Sequence, residues 1–406
     1  MEIDVRTITD DEVPAWSAAL NTGFLNPAGD VDAEARRPGL ILDRAYAGFD
    51  GDRIVATLRS FPATLTVPGG TVATSALTAV TTTSTYRRRG IASRMVAADL
   101  AASVARGESA SILIAAEWGI YGRFGYGPAT EHQMLTVDSL AGRLRNRPQG
   151  TVEYVDRDTA RTLAPEIFDR HRLASPGEIT RNDRYWDVAF GILPVPSWGE
   201  SKPAFYVVAR DPDGSPIGLA RYQCEEKWEY RRPKSRANVQ ALISFDPAGY
   251  ALLWDHLFSL DLIASIRVED RSPDELLPWL LTDARHAQPS ERSDFLWLRP
   301  LDVPALLAAR TYLVAGRLVI EVADAAGLVN GRYVLDGGPD GATCKPTDDS
   351  PDLTLGAAAL GSIYLGGHAV RTLAAADLVE EHTKGAVAQA DAMFRAPVTP
   401  WCSTWF

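Results

Sequence analysis

At 406 residues the chain is long enough for two or three domains with large buried cores, which excludes a small disulfide-stapled scaffold. Hydrophobic residues make up 46% and charged residues 23%, close to globular averages, and no apolar run is long enough to span a membrane. Forty-one Lys and Arg against 52 Asp and Glu leave a net charge of −11, so neither nucleic acid nor a membrane is an expected partner, and cationic small molecules are weakly favoured.

The N-terminus, MEIDVRTITDDEVPAW, is acidic and lacks the apolar core of a secretory signal, so a cytoplasmic protein is expected. An initial helix leads to a segment from Arg44 to Thr83 that alternates and turns at Asp50-Gly51 and Gly69-Gly70, which predicts an antiparallel meander. GIASRMVAADLAASVA then repeats its apolar residues at helical spacing, with Ile91, Met95, Ala98 and Ala102 on one face and Val96, Leu100 and Val104 beside them. SILIAA reads as a buried strand, WGIYGRFGYGP as a short helical piece and HQMLTVDSL as another strand. The order defines an α+β module over residues 1–150.

Residues 151–291 repeat that layout more faintly. AFYVVARDPDGSPIGLARYQC matches the strand, turn and strand of RAYAGFDGDRIVATLRSF, and ANVQALISFDPAGYALLWDHLFSL matches SALTAVTTTSTYRRRGIASRMVAADL. The second copy has FDPAG where the first has YRRRG, so chemistry carried by that loop is expected only in the first. Residues 292–406 read as a third α+β domain with a helical stretch from Leu373 to Phe394. The terminal PVTPWCSTWF is aromatic enough to dock rather than trail in solvent. Cys224, Cys344 and Cys402 lie far apart, no CxxC occurs, and six scattered His offer no ligand spacing, so no metal is expected.

The loop TAVTTTSTYRRRGIAS runs from a strand through three Arg and a glycine into a helix N-terminus, whose unpaired N–H groups and dipole favour an anion. Between Leu77 and Ala110 five Arg face only Asp99 and Glu108, a positive patch in an acidic protein. It is no P-loop, since GxxxxGK[ST] is absent. Arg87-x-x-Gly90-x-Ala92 resembles the R/Q-x-x-G-x-G/A pyrophosphate loop of the GNAT acetyltransferases. One strand later, YGRFGYG resembles the GNAT segment whose tyrosine, here Tyr121, protonates the departing coenzyme A thiolate.

The duplicated module, the third domain and the aromatic terminus together resemble the Eis (enhanced intracellular survival) family of actinobacterial N-acetyltransferases. Tyr86-RRRG, GIYGRFGYGPAT at 119–130, LWLRPLDVPALLAARTY at 296–312 and LGSIYLGGHAVRTLAAA at 360–376 carry the likeness across the whole chain. The resemblance implies tandem GNAT folds, active then degenerate, followed by a sterol-carrier-protein-like domain whose tail enters the first active site. It also implies acetyl-CoA as cosubstrate, a small-molecule amine acceptor such as an aminoglycoside, and a homohexamer. Carried over by position, Tyr121 is the general acid and the Phe406 carboxylate the base. Val80 and Thr82 meet the pantetheine arm, Arg87, Arg88, Gly90 and Ala92 the pyrophosphate, and Phe24, Asn26 and Trp405 the acceptor.

Three departures bear on that transfer. Ala116 stands where relatives often have Ser, leaving backbone contacts alone. Asn26 and Trp405 stand where some members have acidic residues, so polycationic acceptors are expected to bind weakly unless Asp30, Asp32 or Glu34 compensates. Two rivals are lipid binding by the third domain, and a glycerolipid acyltransferase built on His256 and Asp261, which form H-x-x-x-x-D within a helix.

Overall fold

The computed structural model describes residues 3–199 and 202–406. Two seven-stranded sheets and one five-stranded sheet carry the chain, with a small two-stranded hairpin, and none of the described helices is long and apolar enough to cross a membrane.

The first sheet begins at Asp4–Thr7, a strand absent from the expected order, and continues through the meander Ala45–Asp50, Arg53–Val67 and Gly70–Thr82. Ala110–Ile114 follows in parallel after the crossover helix Ile91–Ala105. Leu58, Leu77, Ile91 and Met95 close the core on the helix side. Val104, expected on the apolar face, is exposed, while Asp99 is fully buried and accepts a bond from Ser60 Oγ at 2.6 Å.

The second sheet repeats the unit. Phe205–Arg210 and Pro216–Glu225 form the hairpin, and Ser235–Ser244 leads through the helix Pro247–Phe258 to the parallel strand Ile263–Arg271. The two copies exchange strands at the limits read from sequence. Glu131–Asp138 belongs to the second sheet, between Ala287–Asp294 and Ile263–Arg271. Leu296–Pro300, from the far side of residue 291, enters the first sheet beside Ala110–Ile114. Its five residues are all buried, so it needs cover on both faces. The first sheet supplies it: Trp297 packs on the helix side, and Leu296 and Leu298 face the third domain.

The third domain's sheet runs from Gly341–Pro346 to Val379–Glu381, and that last strand interrupts the helical stretch expected from Leu373 to Phe394. Helices Val370–Ala375 and Ala386–Phe394 remain on either side of it. Leu318, Ile320, Leu335, Leu360 and Phe394 fill the interior and share one core with Ala63, Leu65 and Ala76 of the first sheet. The buried Arg299–Asp324 ion pair, at 2.6 Å, ties the exchanged strand to this domain. In the second copy His256 Nε2 meets the Tyr222 hydroxyl at 3.1 Å while Asp261 lies exposed beyond the helix, so the H-x-x-x-x-D text forms no paired site.

Candidate active site

The parallel strands Gly70–Thr82 and Ala110–Ile114 are paired only from Thr74↔Ala110 to Ala76↔Ile112. Beyond Ala76 the first runs on to Thr82 without that neighbour, so the two part and leave a cleft whose wall is backbone. Within the free stretch a β-bulge opposite Leu58 places Ala79 at φ +57. Thr57 Oγ1 holds the bulge by donating to the Ala79 carbonyl at 2.9 Å. Val80 and Thr82 therefore lie on the partly exposed end of the strand, which stays paired with Arg53–Val67 but has no neighbour on the Ala110–Ile114 side.

At the head of the cleft the chain turns through Ser84–Tyr86 into the basic loop. Arg87, Arg88, Arg89 and Gly90 are all exposed, with Arg88 at φ +64 and Gly90 at φ +72. Alternating left-handed residues turn successive N–H groups inward and form an anion-binding concavity. Gly90 is the N-cap of Ile91–Ala105 and brings no capping side chain, so the first helical N–H groups stay open, Ala92 among them. Tyr86 braces the loop: its hydroxyl donates to Asp50 at 2.6 Å, and Arg89 lies over its ring at 4.9 Å.

Tyr121 closes the short helix Trp118–Tyr121 that follows the exposed Ala116. It packs on the same core as Val80, Tyr86 and Ala115 and meets Tyr126 edge to face at 6.0 Å. Among the described residues its hydroxyl has no hydrogen-bond partner, whereas the Tyr126 hydroxyl is buried against Ser111 Oγ at 2.7 Å. Burial first, and then the charge of Glu117, push the Tyr121 pKa above 10, so the hydroxyl keeps its proton at neutral pH.

The opposite face of the first sheet holds the terminus. Phe406 packs edge to face on Phe61 at 5.5 Å, and Trp405, still 61% exposed, leans on Phe295 at 5.8 Å. Trp401, Cys402 and Thr404 are buried, so the tail is docked. Its anchors were invisible in the sequence because they come from the second module. Buried Glu178 accepts from the Ser403 N–H at 3.0 Å, from the Ser403 hydroxyl and from the Thr404 hydroxyl at 3.1 Å. Arg181 donates to the Ser403 carbonyl at 3.0 Å and to Thr404 Oγ1 at 2.9 Å.

Gly23, at the end of the helix Val13–Gly23, lies so close to the cleft strand that a Cβ there would fall 2.4 Å from Thr81 Oγ1. Phe24 follows it, 61% exposed. Asn26 uses its side chain locally, accepting from the Ala28 N–H at 3.1 Å. Asp32 cannot supply the negative charge that Asn26 lacks: it is fully buried, paired with Arg36 at 2.6 Å and bonded to the Ser197 N–H at 2.9 Å. Asp30 and Glu34 remain exposed.

The acetyltransferase (GNAT) domain family matches residues 4–129 and, in a second form, residues 177–300, and the sterol carrier protein domain family matches residues 303–403. An uncharacterised N-acetyltransferase of Streptomyces griseus is 43% identical, with both chains covered in full. The N-acetyltransferase Eis of Mycobacterium tuberculosis is 33% identical over 98% of each chain. The crystal structure of Eis1 from Mycobacterium abscessus covers both chains entirely with a TM-score of 0.87 at 29% identity. A GCN5-related N-acetyltransferase from Anabaena variabilis shares the fold, with a TM-score of 0.86 at 18% identity. Two GNAT domains, a sterol-carrier-like domain and full-length identity to Eis thus make this chain an N-acetyltransferase of the Eis family.

Proposed function

We propose that the enzyme transfers the acetyl group of acetyl-CoA to a primary amine by direct attack in the first GNAT domain. The observation that carries this reading is the parted strand pair, with an uncapped helix N-terminus at its head and the unbonded Tyr121 hydroxyl on its side. Arg87, Arg88 and the N–H groups from Gly90 to Ala92 would hold the pyrophosphate, and the backbone of Val80 and Thr82 the pantetheine arm. Ala116 adds only its backbone.

In this reading Tyr121 donates its proton to the thiolate as the thioester breaks. The Phe406 carboxylate takes or orients the proton leaving the amine. Phe24, Asn26 and Trp405 line the acceptor end. Aminoglycosides are then poor acceptors, because Asn26 and Trp405 are uncharged and Asp32 is already paired. Action in the cytoplasm is the expectation drawn from the sequence and assembly as a homohexamer that of the family resemblance, and light scattering after size exclusion tests the assembly. A thiol-release assay across arylalkylamines, polyamines and aminoglycosides tests the activity. Acetyl-CoA-dependent release with simple amines is expected, and no release with any amine overturns the reading.

A further inference from the structure

Three guanidinium groups from distant parts of the chain gather on the acceptor face of the first sheet. Arg59 pairs with Thr78, the residue before the bulge at Ala79. Strand alternation turns it to the face of Phe61, on which Phe406 packs, because Leu58 and Ser60 point the other way toward the helix Ile91–Ala105. Its guanidinium lies 5.7 Å from the Phe61 ring centroid and donates to the Gly39 carbonyl at 3.1 Å. Arg184, from the second module, passes so close to Gly39 that a Cβ there would stand 2.5 Å from its Nε, and it donates to the Ala35 carbonyl at 2.8 Å. Arg36 is the third, and Asp32 neutralises it at 2.6 Å.

Arg59 and Arg184 lack such a partner. Among the described residues neither pairs with a carboxylate, and the charges acting on Arg59 are those of Arg184 and Arg36, all of one sign. Burial and that repulsion bring the Arg59 pKa down to about 10. Two half-buried like charges this close are costly unless an anion joins them. Arg59 spends one N–H on Gly39, which leaves most of a planar fork of donors whose geometry matches a carboxylate. Pinning residues 35–39 through two carbonyls does not by itself call for two uncompensated cations.

We propose that Arg59, backed by Arg184, binds a carboxylate of the acceptor, so that the preferred acceptors are primary amines that also carry a carboxylate. This rests on the acetyl-transfer reading above. The carboxylate takes no part in the bond changes; it anchors the acceptor on the Phe61–Phe406 side while its neutral amine faces the cleft strand.

The test compares matched pairs, phenylalanine with phenethylamine and 6-aminohexanoate with hexylamine, as acceptors of the full-length enzyme. In the wild type kcat/KM is expected to favour the carboxylate member at least tenfold, with the gain in KM. Arg59→Gln should bring the ratio to about one, and Arg59→Lys should restore part of it, since the charge returns without the fork. A second arm needs no turnover: calorimetry on the coenzyme A complex with N-acetylphenylalanine and N-acetylphenethylamine. The acid is expected to bind at least tenfold more tightly, and Arg184→Gln should narrow that gap. Turnover of neutral amines without a carboxylate preference overturns this proposal alone. Absence of turnover with every amine overturns the acetyl-transfer reading, and equal binding of the two acetylated compounds then overturns this proposal as well.

Discussion

Gly90 and Asp246 occupy the same place in the repeated unit, the N-cap of the helix that follows the meander, and they leave that helix with opposite capacities. Gly90 offers no side chain to the first N–H groups. Asp246 bonds the Ala248 N–H at 2.7 Å and satisfies from within the chain what an anion would satisfy from outside. Aligned by sequence, Asp246 stands against Arg87 and Gly249 against Gly90. The structure starts the second helix at Pro247, three residues earlier in that match, and so takes the loop's length into the helix.

Gly90→Asp should therefore convert the first copy into the second. The left-handed φ of +72 disfavours the side chain, and its charge falls where the pyrophosphate is expected. A Cβ at this position meets nothing within 4 Å, so the fold should survive. Calorimetry should find coenzyme A affinity lost in a protein that still melts cooperatively.

Tyr121→Phe should lower kcat by roughly 100-fold to 10,000-fold, the usual contribution of a general acid, with little change in acetyl-CoA affinity. Because the folded hydroxyl titrates above 10, it stays protonated through the neutral range, and the wild-type kcat should show no loss of this acid below pH 10. A fall of kcat centred near neutral pH in the wild type, absent from Tyr121→Phe, would contradict the assignment.

Glu178→Ala should release the tail. It leaves the Ser403 N–H and the Thr404 hydroxyl without their buried acceptor, a loss of about 1–3 kcal/mol for each group so stranded. Carboxypeptidase should then remove Phe406 at least tenfold faster than from the wild type, and kcat should fall in parallel. Appending a C-terminal tag should depress kcat too, since it removes the terminal carboxylate; normal turnover by a tagged enzyme would dismiss that group's role.

Asn26→Asp should lower KM for polycationic acceptors several-fold. The aspartate can keep the bond to the Ala28 N–H, so the turn is preserved while a charge is added. A unit charge about 4 Å from an ammonium contributes about 1 kcal/mol in water and up to about 4 kcal/mol near a protein surface. Steady-state kinetics with spermine and an aminoglycoside check this.

Asp99 makes a prediction about pH and stability. Burial raises its pKa from 3.8 to about 6, with the Ser60 bond and nearby Arg106 and Arg44 opposing. The folded state therefore holds this proton more tightly than the unfolded one. Its contribution favours folding least above pH 6, and the deficit shrinks as pH falls from 6 toward 3.8. Asp99→Asn should raise the unfolding free energy at pH 8 by at most about 3 kcal/mol, and by about half that at pH 5, with Tm rising accordingly. Scanning calorimetry at the two pH values decides it.

Features written within one short stretch of chain were legible from the sequence: the meander and its Gly turns, the crossover helix, the basic loop ending at Gly90 and the short helix that holds Tyr121. Each depends on local periodicity, turn chemistry or unpaired backbone at a helix end, and those are set by neighbours a few residues apart. Partnerships between distant residues were decided by tertiary structure. Leu296–Pro300 and Glu131–Asp138 exchange sheets because the faces they bury, every residue of the first and alternate residues of the second, rather than chain order, choose a strand's place. Arg59 meets Gly39 and Arg184, and Glu178 meets Ser403, across gaps in sequence that leave no pattern to read. Asp32 looked free in the sequence and is paired in the fold, because a carboxylate's availability depends on which cation folding brings beside it.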